Sequence, residues 1–144
     1  MEKRKVACAS DHAGFEIKAA IRQTLADWGY DVLDLGTHDT APVDYPDFAQ
    51  AMAEAFAKDQ IQTGILACGS GVGISMAANR FKNLRAVVCH TPEEARLARL
   101  HNDANTIAFG GRVMTLEASL ACLKVFLATE FEGGRHAKRV AKMS

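Results

Sequence analysis

ACGSGVGIS, residues 67–75, sets a cysteine and three glycines in one tight run, between an apolar stretch (QTGILA) and a segment suited to a helix (ISMAAN). Read outward, the stretch is strand, glycine loop, helix. The same alternation recurs along the chain. Apolar runs predict strands at 5–10, 31–35, 63–68, 85–89 and 105–109. Ile17, Ile21, Leu25 and Trp28 stand at helical spacing, with Gly29 placed to stop the helix. Phe48, Met52 and Phe56 mark a second helix after Asp44-Tyr45-Pro46, and a third begins inside the glycine loop. A fourth opens at TPEE, where Thr91 and Glu94 have capping-box spacing and Pro92 takes the first helical position. A fifth opens at Thr115 and carries Leu116, Leu120, Leu123 and Leu127. A basic tail, residues 132–144, follows and reads as a short helix.

Alternating strands and helices joined by short loops imply a parallel sheet with helices on both faces. The expectation is a single α/β domain over 1–144: a three-layer Rossmann-like or flavodoxin-like fold, five strands in the order 2-1-3-4-5, and a C-terminal tail helix. Strands one and three are then neighbours, the chain reverses between them, and ligands bind at the carboxyl ends of the strands at that point. Strand one ends in SDHAGF and strand three in CGSGVG, so Asp11, His12, Cys68 and the glycine loop should meet there.

Bulk composition narrows the function. The 144 residues are 49% hydrophobic and 24% charged, and 17 Lys plus Arg balance 17 Asp plus Glu. Zero net charge argues against nucleic acid or a membrane surface as a partner recognised by bulk charge. The four cysteines, Cys8, Cys68, Cys89 and Cys122, lack framework spacing, and MEKRKVACAS enters a strand without a long apolar run. Both features suit a cytoplasmic protein with free thiols.

The glycine loop is not a dinucleotide fingerprint, since Gly69, Gly71 and Gly73 read G-x-G-x-G after the third strand. Nor is it a P-loop, for no Lys-Ser or Lys-Thr pair follows. What remains is an anion site of successive backbone N–H groups at a helix start, or a turn needed for close packing alone. Cys68 stands just before this loop, where a thiolate is favoured and a base or nucleophile would fit. The other three cysteines read as buried structural residues. A zinc site from Cys8, His12, Cys68 and His90 lacks a closely spaced ligand pair. Asp11 suits a helix cap beside the ligand crevice, and Ser70 suits either a cap or a substrate contact. His101 and Asn102 end the fourth helix, where a histidine commonly meets the helix dipole. Arg135 and Arg139 stand one helical turn apart, able to grip a phosphate or simply to be solvated.

Together, SDHAGFEIK, LGTH, VDYPDFA, GILACGSGVGISMAANR, LRAVV, ARLARLHNDANTIAFGGR and FEGGRHAKRV closely resemble the type B ribose-5-phosphate isomerases, in order and over nearly the whole chain. The wider family includes galactose-6-phosphate isomerase subunits. The resemblance implies an aldose–ketose isomerase that works through a cis-enediolate and needs no metal or cofactor. Carried onto this sequence, Cys68 moves the proton between C1 and C2. The backbone N–H groups of Gly69, Ser70, Gly71, Val72 and Gly73 bind the enediolate oxygen, and Ser70 assists proton transfer. His101 opens the sugar ring, Asp11 and His12 lie beside the sugar, and Tyr45 and Asn102 line the pocket. Arg112, Arg135, His136 and Arg139 match the family's phosphate cluster. Some relatives carry a carboxylate base across the loop, but position 75 is Ser75 here, so the cysteine version applies.

Ribose 5-phosphate is the default substrate, with allose, galactose or tetrose phosphates as alternatives. A non-enzymatic flavodoxin-like module holding a phosphate ligand is the competing class. Topology adds one expectation. The fourth helix runs back along the sheet, so it delivers His101 to the amino edge, roughly 17–20 Å from Cys68. A homodimer with shared active sites, alone or paired into a dimer of dimers, follows if both residues serve one sugar.

Overall fold

A computed structural model describes residues 4–144. Five parallel strands form its sheet: β1 (Lys5–Ser10), β2 (Asp31–Asp34), β3 (Thr63–Cys68), β4 (Ala86–Val88) and β5 (Thr106–Gly110). The helices are α1 (Phe15–Asp27), α2 (Tyr45–Ala57), α3 (Val72–Ala78), α4 (Pro92–Asn102), α5 (Leu116–Ala128) and α6 (Ala137–Met143). Short 3-10 turns at His12–Gly14 and Gly134–His136 precede α1 and α6.

Side-chain alternation along each strand divides the core in two. Val6, Cys8, Ile65, Ala67, Ile107 and Phe109 face α1, α4 and α5. Ala7, Ala9, Leu66, Cys68 and Ala108 face α2 and α3. Local signals act as their chemistry dictates. Thr91 and Glu94 close a reciprocal capping box on α4. Gly29 takes φ +92° just past α1, and the Thr115 hydroxyl accepts from Ala118 N–H to cap α5. Trp28 does not join the apolar face of α1; it is the exposed C-cap residue.

The strand order is β2-β1-β3-β5-β4, so the expected positions of the last two strands are exchanged. Burial explains the exchange. Every residue of β5 is buried, Ala108 on one face and Phe109 on the other, and an edge position does not supply that cover. The three residues of β4 are only half-buried and suit the edge. That edge is also blunted, because the Asn79 side chain accepts from Ala86 N–H at 2.7 Å and donates to Ala86 C=O at 2.9 Å. The exchange leaves the β1/β3 neighbours intact and puts β5 beside β3, with Cys68 opposite Gly110. The chain leaving β5 thereby enters the crevice.

Three loops at this carboxyl edge pack backbone against backbone. A Cβ on Gly14 would lie 2.5 Å from the Ala67 carbonyl carbon, and one on Gly110 would lie 2.6 Å from the Ser70 carbonyl carbon. Gly14→Ala should therefore force a backbone shift and destabilise the fold by about 1–3 kcal/mol, the usual cost of overpacking. Urea unfolding checks this: the midpoint should fall with an unchanged m-value.

Candidate active site

The crevice is built from the ends of β1, β3 and β5 and the start of α2. Asp11 leaves β1 and caps the following turn, its Oδ1 accepting from Gly14 N–H at 3.0 Å. The cap is real, and Asp11 still lines the cavity. His12 follows, and its Nδ1 accepts from Val43 N–H at 3.1 Å. That bond leaves the ring proton on Nε2.

At the end of β3, Cys68 is buried, and its Sγ accepts from Gly71 N–H at 3.2 Å. Gly71 adopts φ +81°, the left-handed conformation that turns its amide back onto the sulfur. Ser70 Oγ accepts from Val72 N–H at 3.1 Å. Gly69 and Gly73 complete the loop's side of the cavity, and the Tyr45 ring packs against Gly73, where a Cβ would come within 2.8 Å of it. From β5, Gly111 N–H donates to Cys68 C=O at 2.8 Å and Arg112 N–H to Gly69 C=O at 2.9 Å. These bonds lay the Arg112 side chain over Gly69. The cavity so enclosed measures about 490 Å³, a volume suited to a small ligand.

The remaining sequence candidates lie elsewhere in the chain. His101, in the last turn of α4, stacks on His136 with ring centroids 4.3 Å apart and planes 18° apart. Its Nε2 is 3.9 Å from Glu132 Oε2, and Glu132 N–H donates to Leu100 C=O, joining the tail to α4. His136 is 7% exposed, and its Nε2 has no hydrogen-bond partner. Burial, with the adjacent His101 and the Arg135 charge, holds its pKa below the usual histidine range. Arg135 belongs to the 3-10 turn and Arg139 to α6, both exposed, so their pairing spans a junction rather than one regular helix. Asn102 lines a different cavity, with Arg85 and Met143. Thr106 pairs with Gly64 at the start of β3 and Cys68 with Gly110, which puts His101 and Asn102, just ahead of β5, at the opposite end of the sheet.

His101, Glu132 and His136 offer donor atoms within 4.8 Å of one another. Lone pairs of imidazole nitrogens lie in the ring planes, however, and the two planes are nearly parallel. They run side by side instead of meeting at one ion, so the residues fit a stacked pair better than a metal centre. The zinc set considered from sequence fails on geometry too, because Cys8 and Cys68 face opposite sides of the sheet.

Three residues at these sites carry no advance signal. Val43 acts through its backbone amide, which every residue but proline has. Val113 lines the cavity while 63% exposed, and Glu132 is one acid in a basic tail.

The four thiols differ in surroundings. Burial pushes Cys8 and Cys89 up to about 12 and raises Cys122 as well, whereas Cys68 opens onto the cavity. Iodoacetamide should accordingly alkylate Cys68 first in the folded protein, as peptide mass spectrometry would report. Equal labelling of Cys8 or Cys122 would contradict this.

Known proteins share both the sequence and the fold of this chain. Residues 6–143 match the profile of the Ribose/Galactose Isomerase family. The chain is 46% identical over 137 residues to ribose-5-phosphate isomerase B of Escherichia coli strain K12, covering 95% of this chain and 92% of that protein. The crystal structure of a ribose 5-phosphate isomerase from Thermotoga maritima superposes with a TM-score of 0.96 at 42% identity, over 99% of this chain and 98% of that one. Ribose-5-phosphate isomerase B of Clostridium thermocellum gives a TM-score of 0.94 at 46% identity, covering 96% and 94% of the two chains.

Fold, crevice and kinship define an enzyme of the sugar-phosphate isomerase class. More particularly, the chain belongs to the ribose/galactose isomerase family. The competing reading as a non-enzymatic flavodoxin-like module falls with that result. A shared switch-point architecture made it tenable from sequence, since the fold alone does not separate a binding module from an enzyme.

Proposed function

We propose that the chain interconverts ribose 5-phosphate and ribulose 5-phosphate through a cis-enediolate, with Cys68 as the base. The observation that carries this reading is the Cys68 sulfur, held 3.2 Å from Gly71 N–H beside Asp11, His12 and Arg112 in one cavity. In the open-chain aldose, Cys68 takes the proton from C2. The C–H electrons form the C1=C2 bond, and charge develops on O1. Backbone N–H groups of residues 69–73 stabilise that oxygen, a preorganised contribution that is usually the largest one in such reactions. Ser70 carries the proton between O2 and O1, and Cys68 returns its proton to C1. Asp11, His12 and Tyr45 position the sugar, while Arg112 holds the phosphate end.

The pentose is favoured over allose, galactose or tetrose phosphates because the Escherichia coli, Thermotoga maritima and Clostridium thermocellum proteins are all ribose-5-phosphate isomerases by name. Comparing kcat/KM across a panel of aldose phosphates tests the choice. Cys68→Ala should lower kcat about a thousandfold, within the range of a lost general base, while the protein stays folded and still binds a phosphorylated sugar acid. Near-normal turnover would exclude Cys68 as the base.

His101, Asn102, Arg135, His136 and Arg139 belong, in this reading, to the site of a second subunit of a cytoplasmic homodimer. Each chain acts as one isomerase domain, 1–144, whose tail serves its neighbour. Two observations support it. Along β5, five residues separate the His101 end of the sheet from Cys68, roughly 17 Å of strand. Val72, Met76 and Val113 are 49%, 66% and 63% exposed at the crevice's own end, an apolar rim suited to burial under another chain. His101 then opens the furanose ring, and the tail arginines complete the phosphate site.

Refolding Cys68→Ala together with His101→Ala tests the sharing. Random pairing makes half the dimers mixed, and each mixed dimer holds one intact site, so about a quarter of wild-type activity should return. Mixed dimers without activity would refute it.

A further inference from the structure

Among the largest fully buried side chains in the described protein is a lysine, Lys18 of α1, 1% exposed. A buried ammonium is costly unless its hydrogens are bonded and its charge is paired. Here Nζ donates to Asp34 Oδ1 at 2.6 Å and to Thr37 C=O at 2.7 Å, with the Phe15 ring 5.5 Å away. Burial pushes the Asp34 carboxyl up, but the Lys18 ammonium and the Gly36 amide hold it below its usual range. No step assigned to the crevice uses this pair.

Its neighbours give it a purpose. Residues 35–44 connect β2 to α2 without helix or strand, and Lys18 grips the beginning of that segment. Asp34 Oδ1 also accepts from Gly36 N–H at 3.0 Å. Gly36 C=O accepts from Ser10 N–H, and Thr37 N–H donates to Ser10 C=O, both at 2.8 Å. Lys18 thus holds the turn that is bonded to β1 immediately before Asp11 and His12. Farther along, Asp39 Oδ1 accepts from Ala41 N–H at 3.0 Å, and Val43 N–H reaches His12 Nδ1. His12 is thereby secured at its backbone through Ser10 and at its ring through Val43.

We propose that Lys18 is a positioning residue for the isomerisation. Through Asp34 and Thr37 it holds segment 35–44 so that the Val43 amide keeps His12 in the tautomer with its proton on Nε2, which donates to a sugar oxygen. The inference rests on the isomerase reading above and adds a residue that touches no substrate.

Lys18→Met fills nearly the same space but cannot hold Thr37 C=O or Asp34. Long-range proton–nitrogen NMR of the His12 ring should show the Nε2–H tautomer in the wild type and a mixture in Lys18→Met. In that variant kcat/KM should fall on the order of tenfold to hundredfold, the scale of a misplaced reacting group. Because the effect runs through His12, Lys18→Met in a His12→Gln background should cost little more. An unchanged His12 spectrum, or losses that simply multiply in the double variant, would overturn the proposal.

If Lys18→Met fails to fold, Val43→Pro removes the amide donor while leaving the lysine cluster in place. It should show the same NMR change and the same loss of rate, and wild-type behaviour in both would equally overturn the idea. Absence of wild-type activity on every aldose phosphate would instead sink the isomerase reading, while the NMR comparison would still decide whether Lys18 governs His12.

Discussion

At the carboxyl edge of the sheet, glycines bring the backbones of the three loops that form the crevice into direct contact. A Cβ on Gly14 would strike the Ala67 carbonyl, one on Gly110 the Ser70 carbonyl, and one on Gly111 would lie 2.8 Å from Ala13 O. The loops after β1, β3 and β5 are consequently held at backbone contact distance. Asp11, Cys68 and Arg112 share one cavity because of that proximity. An added methyl at any of these glycines would push apart groups whose chemistry depends on their separation.

Close packing also shapes the electrostatics. The glycine loop lines the cavity with uncharged groups, and the Gly71 N–H bonds the Cys68 sulfur. Such dipoles stabilise negative charge without demanding a counter-ion when the site is empty. The guanidiniums stand farther out: Arg112 on the rim of the crevice, and Arg135 and Arg139 on the tail. In the proposed reading, neutral donors at the reacting carbons and guanidiniums at the phosphate suit a ligand charged at one end only. In the proposed dimer, the stacked His101 and His136, with an imidazole nitrogen buried and unbonded, supply the second half of the site.

Exchange of the last two strands has a chemical result. Had β4 lain beside β3, the segment following β5 would have left the sheet one strand farther away. With β5 adjacent, Gly111 N–H bonds Cys68 C=O, and Arg112 reaches the cavity. The family resemblance had named Arg112 as a phosphate ligand, whereas the expected strand order offered no route for it to the glycine loop. Sheet order and site residue are explained together by the burial of β5.

Much of this was legible in the residues. Apolar runs mark the strands, the Thr91–Glu94 box and Thr115 mark helix starts, and the meeting of SDHAGF with CGSGVG follows from strands one and three being neighbours. These features are local, or follow from a single rule of parallel-sheet topology, so sequence suffices for them. Lys18 was not legible, because a lysine beside Ile17 and Ile21 on a helix normally reaches water, and only the position of Asp34 and Thr37 keeps it inside. Val43 was invisible for a different reason: its contribution is an amide common to nearly all residues. The chain by itself determined which groups carry chemistry and which strand ends present them. Which strand takes the sheet's edge, which amide meets His12 and whether a charge is buried were decided only by tertiary structure, since each depends on competition among distant segments for the same buried space.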